Sequence, residues 1–155
     1  MGWLRSVRTR WSRFRRLSRS ERGLLAETLV LLPLAVVAQR ALGFARCRGI
    51  LERLANALGT RPRMTDDPAA EVRVAARLFD RAARRCPCPT SCMHRSLVLW
   101  WLLRRRGFAS RLLIGVHKEA GCFEAHAWVE CLGSVLNDPD DLHRQFAPFA
   151  DPILV

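Results

Sequence analysis

The hydrophobic period of this chain changes once, at Gly107, and that change limits the fold more than any other feature. Before it, apolar residues recur at helical spacing: Val72, Ala75, Phe79 and Ala82 mark one helix face, and Leu97, Trp100, Trp101 and Leu103 another. After it they alternate, at Leu112, Ile114 and Val116, then at Phe123, Ala125, Ala127 and Val129. Ser134 to Asn137 forms a third short strand, and the remainder reads as loop with one short helix. Helices followed by strands define an α+β chain: N-terminal helices, then a last helix packed on a small antiparallel sheet. With 155 residues it is long enough for one self-sufficient core.

Start and stop signals place the helices. Ser18-Arg19-Ser20-Glu21 has the form of a capping box, predicting a helix to about Leu32. Pro33 then kinks or divides it before a second piece toward Leu58. Asp67 before Pro68 is a cap followed by a favoured first position. The last helix is capped by Ser91 and closed by Arg104-Arg105-Arg106 before Gly107.

Charge is uneven. The net charge is +12, Lys118 is the only lysine, and residues 1–22 hold eight arginines against Glu21 alone. The domain therefore divides into a basic arm, residues 1–19, and a folded unit, residues 20–155. An acidic partner, a peptide carboxylate or peripheral contact with an anionic membrane would suit the arm. No secretory signal opens the chain, so a cytoplasmic location with reduced thiols is expected for its six cysteines. The uncharged run from Thr28 to Gln39 falls short of the roughly 18 residues of a spanning helix, so no crossing is expected. Phosphate-binding and serine-elbow motifs are missing. Basic and aromatic residues are not interleaved on the expected sheet, which argues against nucleic acid.

Cys92 begins the last helix, where unpaired backbone N–H groups and the positive end of the dipole favour a thiolate. A nucleophile there needs a base and an orienting group. Reading Cys131-Leu132-Gly133 as a three-residue hairpin loop puts His126 opposite Asp138, with Cβ atoms about 5 Å apart. A Cys, His, Asp order along the chain is that of papain-like and transglutaminase-like thiol enzymes. Trp128 shares the His126 face and is the candidate wall of the site. His94 lies two residues past Cys92 and points elsewhere, and His117 and His143 read as surface residues. Cys86, Cys88, Cys92 and His94 do not have zinc-site spacing, and Cys47, Cys122 and Cys131 read as small apolar residues.

Five segments together carry a resemblance: Ser91-Cys92-Met93-His94-Arg95-Ser96-Leu97, Leu102 to Gly107, Leu113-Ile114-Gly115-Val116, Ala125-His126-Ala127-Trp128-Val129-Glu130, and Val135-Leu136-Asn137-Asp138. They resemble the split-form leader peptidase of lasso peptide biosynthesis, a transglutaminase-like cysteine protease. The resemblance spans about residues 20–150 and implies Cys92 as nucleophile, His126 as base and Asp138 as its orienter. It further implies removal of a leader from a ribosomally made precursor peptide before a separate cyclase closes the ring. A small leader-recognition protein is the implied partner. ATP use is linked to larger members, but no motif here would bind it and no cofactor is evident. Two other readings remain: a thiol acyltransferase of transglutaminase or thioesterase type using the same triad, and a non-catalytic peptide-binding scaffold.

Overall fold

The computed structural model describes residues 17–57, 65–119, 122–138 and 141–148. Four helices come first: α1 (Arg19–Leu42), α2 (Phe44–Ala57), α3 (Pro68–Ala83) and α4 (Cys92–Arg105). Strands β1 (Ser110–Glu119), β2 (Cys122–Cys131) and β3 (Ser134–Val135) follow, then a 3-10 turn at Leu142–Gln145 and a short strand β4 (Ala147–Pro148). The sheet order is β3-β2-β1-β4, antiparallel throughout. The α+β expectation holds. Of the basic arm, residues 1–16 lie outside the described residues.

Helix α4 is the axis of the core. Every residue from Ser96 to Leu103 is buried, and a helix apolar on all sides must be covered on all sides. Helices α1, α2 and α3 pack on it, and so do strands β1 and β2. The sheet face turned toward α4 carries Leu112, Ile114, Ala127 and Val129, all buried. Alternation continues beyond the core in β2, where Phe123 is exposed, with the Lys118 ammonium 5.2 Å from its ring.

The first helix does not stop at Pro33 as expected. The capping box forms as read, with Ser18 Oγ accepting from the Glu21 N–H and Glu21 accepting from the Ser18 N–H. Yet α1 runs unbroken through Pro33 for 24 residues, and the break falls at Gly43. The bond that proline removes would have ended on the carbonyl of Leu29, a residue exposed to solvent. By length and composition alone α1 could cross a membrane, unlike its short uncharged run. Its inner face, Leu24, Thr28, Leu32 and Val36, is nevertheless buried in the core, and Glu27 pairs with Arg106 at 3.0 Å.

Candidate active site

Cys92 occupies the first position of α4, half-buried. Ser91 caps the helix by accepting from the His94 N–H at 3.4 Å. His94 returns the favour that a glutamate usually provides: its Nδ1 accepts from the Ser91 N–H at 3.1 Å. That bond requires a neutral ring, and burial, aided by the Arg40 charge, pushes the His94 pKa down. His94 is thus a cap and does not serve Cys92 as a base. The N–H groups of Cys92 and Met93 stay without intrahelical acceptors, as at any helix start.

The next two residues hold this helix start in place. Arg95 Nη2 reaches Asp80 on α3 at 2.5 Å. Ser96, fully buried, donates to the Ala127 carbonyl of β2 at 2.7 Å. Its oxygen also accepts from Asn137 Nδ2 at 2.7 Å. Cys92 stands four residues before Ser96, on the same helix face and about one 5.4 Å turn away. The thiol's helix is thereby bonded to the residue adjoining His126 and to the residue adjoining Asp138.

His126 and Asp138 do meet, by a different route from the one the hairpin reading gave. Leu132 and Gly133 both have positive φ, 50° and 74°, and make a two-residue turn. Register is one residue off the expected one: Glu130 pairs with Val135 and Cys131 with Ser134. Leucine is a poor predictor of that turn because left-handed backbone strains its Cβ. The third strand also ends early, at Val135. Asn137 Oδ1 accepts from the Val129 N–H at 2.8 Å in place of a strand carbonyl, so the chain leaves the ladder there. Asp138 then turns back under β2, and its Oδ1 lies 3.3 Å from His126 Nε2.

The Asp138 carboxylate is completely buried. Its second oxygen accepts from the His143 N–H and contacts His143 Nδ1, each at 2.6 Å. Burial pushes its pKa up, but the two hydrogen bonds from His143 and the nearby His126 ring outweigh that and hold the carboxyl below its usual value. His143, read from sequence as a surface residue, is therefore part of the site. No spacing rule announced it, because its place depends on the 3-10 turn at Leu142–Gln145 folding back. Ser96 and Asn137 were also missed as working residues. Ser96 did leave a signal: a lone hydroxyl in an apolar helix, one turn from the thiol.

Aromatic rings enclose the imidazole. Trp128 stacks on His126 at 6.0 Å with planes 19° apart, and Phe146 lies 5.3 Å from the same ring. Trp128 is buried and also meets His143 at 6.0 Å, so it is both wall and packing. Beside it opens a cleft lined by Arg111, Leu113, Glu130 and Arg144 among others. Opposite His126 on β1 stands Gly115, where a Cβ would lie 2.8 Å from Phe146 Cβ and 3.0 Å from Trp128 Cη2. Only a glycine lets these rings close over the strand.

Among the other described thiols, Cys47 and Cys131 are buried, which pushes their pKa values up. Cys86 and Cys88 face each other at 2.9 Å, and hydrogen bonding to Cys86 raises Cys88. The Cys122 side chain lies outside the described residues. Among the described residues no three His, Cys, Asp or Glu side chains converge as metal ligands.

A half-buried cysteine opens a helix that is bonded to the strand residue beside His126, and His126 itself meets a buried aspartate, an arrangement that a thiol enzyme could use. The sequence profile of the transglutaminase-like superfamily matches residues 32–151, and the chain belongs to that superfamily. No curated protein and no solved structure matches it significantly.

Proposed function

We propose that the protein is a cysteine peptidase that cleaves the leader from a lasso precursor peptide, through Cys92, His126 and Asp138. The observation that carries the chemistry is the 3.3 Å contact between Asp138 Oδ1 and His126 Nε2. In this reading Nε2 donates to the carboxylate, which leaves the Nδ1 lone pair free. Nδ1 then takes the Cys92 proton and the thiolate attacks the last leader carbonyl. The tetrahedral oxyanion is met by the free N–H groups at the start of α4. The imidazolium, steadied by Asp138, then gives its proton to the leaving amine. Water, deprotonated by the same ring, releases the leader from the thioester and regenerates the thiol.

Membership of a superfamily holding both peptidases and acyltransferases supports the thiol chemistry. The lasso assignment rests on the motif pattern around Cys92, His126 and Asn137-Asp138. On that assignment the chain works in the cytoplasm with a precursor peptide, a separate leader-recognition protein and a cyclase, and ATP dependence would have to come from that assembly.

The test is cleavage of a precursor peptide by the purified chain with its leader-binding partner, followed by mass spectrometry. Wild type should release the free leader acid, while Cys92→Ala should release none and keep its helical circular dichroism. Cleavage by Cys92→Ala would overturn the assignment. Transfer of the acyl group to an added amine, in preference to water, would assign acyltransfer.

A further inference from the structure

Helix α1 is amphipathic in the wrong sense for a face bathed in water. Its inner stripe is buried, yet its outer stripe is also apolar: Val30 is 66%, Leu34 58% and Val37 64% exposed. Ala26 and Leu29 continue the stripe toward the N-terminus. Of the two polar side chains along that length, Thr28 is buried and bonded to the Leu24 carbonyl, and Glu27 turns to Arg106. The stripe runs on to Ile50 and Leu54 of α2, both nearly half exposed. Between the two helices opens an apolar groove of about 170 Å³. An apolar surface this continuous marks an interaction site.

Charge identifies the occupant. Arg19 and Arg22 stand at one end of the α1 stripe and Arg40 at the other, with no acid between them on the exposed face. The sequence leading into the helix adds six more arginines interleaved with Trp3, Leu4, Trp11 and Phe14. Basic residues flanking an apolar helix face, preceded in sequence by a segment of arginine and tryptophan, match an anionic bilayer: acyl boundary for the stripe, phosphates for the guanidinium groups. We infer that the outer face of α1, extended by α2, docks the protein peripherally on an anionic lipid surface. The helix lies in the interface and does not cross it, because its inner face belongs to the core.

The inference goes beyond peptidase chemistry and is independent of it. It is tested by sedimenting the full chain with vesicles of phosphatidylcholine alone or with 30% phosphatidylglycerol, at low and at 0.5 M salt. The expected result is binding to the anionic vesicles only, weakened by salt as the Debye length shrinks. Val30→Glu, Leu34→Glu and Val37→Glu lie at exposed positions and should leave thermal unfolding in place. Each should lower partitioning about tenfold or more, the equivalent of one lost apolar side chain. Failure to bind anionic vesicles overturns the inference. So does binding that survives all three substitutions, which would assign it to the arm alone. Self-association in sedimentation equilibrium that the same variants abolish, without vesicle binding, would make the face a contact between copies.

Discussion

Replacing Ser96 by alanine tests whether one buried hydroxyl holds the candidate site together. Its oxygen is fully shielded and makes two bonds of 2.7 Å, to the Ala127 carbonyl and from Asn137 Nδ2. The substitution removes a single atom, so little packing is lost; the cost lies in the two partners left behind. An orphaned buried polar group costs about 1–3 kcal/mol. Ala127 is fully buried and cannot recover its bond, whereas half-buried Asn137 regains some water. A loss of about 2–4 kcal/mol is expected, a large share of the roughly 5–15 kcal/mol that holds a typical domain. Urea unfolding would show it as a lower midpoint with an unchanged slope. In the double variant Ser96→Ala/Asn137→Ala the costs should fall short of the sum by at least about 0.5 kcal/mol, since both report one bond. A loss below about 0.5 kcal/mol, the scatter of ordinary surface changes, or strictly additive costs would refute the idea of a shared knot.

Three further outcomes follow from the same geometry. Gly115→Ala should destabilise by about 1–3 kcal/mol, because the new methyl would overlap Phe146 and Trp128; calorimetry would read it. His143→Ala removes one of the bonds that depress Asp138, so the acid limb of the cleavage profile should move to higher pH and the rate fall about tenfold. The third concerns stability on acidification. Asp138 and His94 both have folded pKa values below their ordinary ones, so each contributes stability that is complete above its unfolded pKa and lost as pH falls through the folded value. Urea midpoints should therefore begin to drop below about pH 6.5, where the His94 imidazole of the unfolded chain takes a proton that the folded chain resists, and again below about pH 3.9 for Asp138. His94→Ala should shrink the upper step.

Much of this protein was legible in its residues because the signals were local. Periodicity located α3, α4, β1 and β2, but not β4, which lies in a tail read as loop; Ser18, Asp67 and Ser91 each accept the cap bond their position predicts. The order of Cys92, His126 and Asp138 was visible as well, since a helix start and a strand end constrain what a thiol, an imidazole and a carboxylate can do. Pro33 misled because packing of the inner face, Leu24 to Val36, holds the helix together across it. The hairpin misled because a leucine took a left-handed backbone.

Local pattern thus determined the elements, their caps and the kinds of chemistry along the chain. Tertiary structure alone decided which polar groups share a partner. The Asp138 carboxylate divides its two oxygens between His126 and His143, and Ser96 joins Ala127 to Asn137 across segments 31 and 41 residues apart. Those meetings follow no sequence period. They arise because buried polar groups must find partners once water is excluded, and the core around α4 determines which ones are within reach.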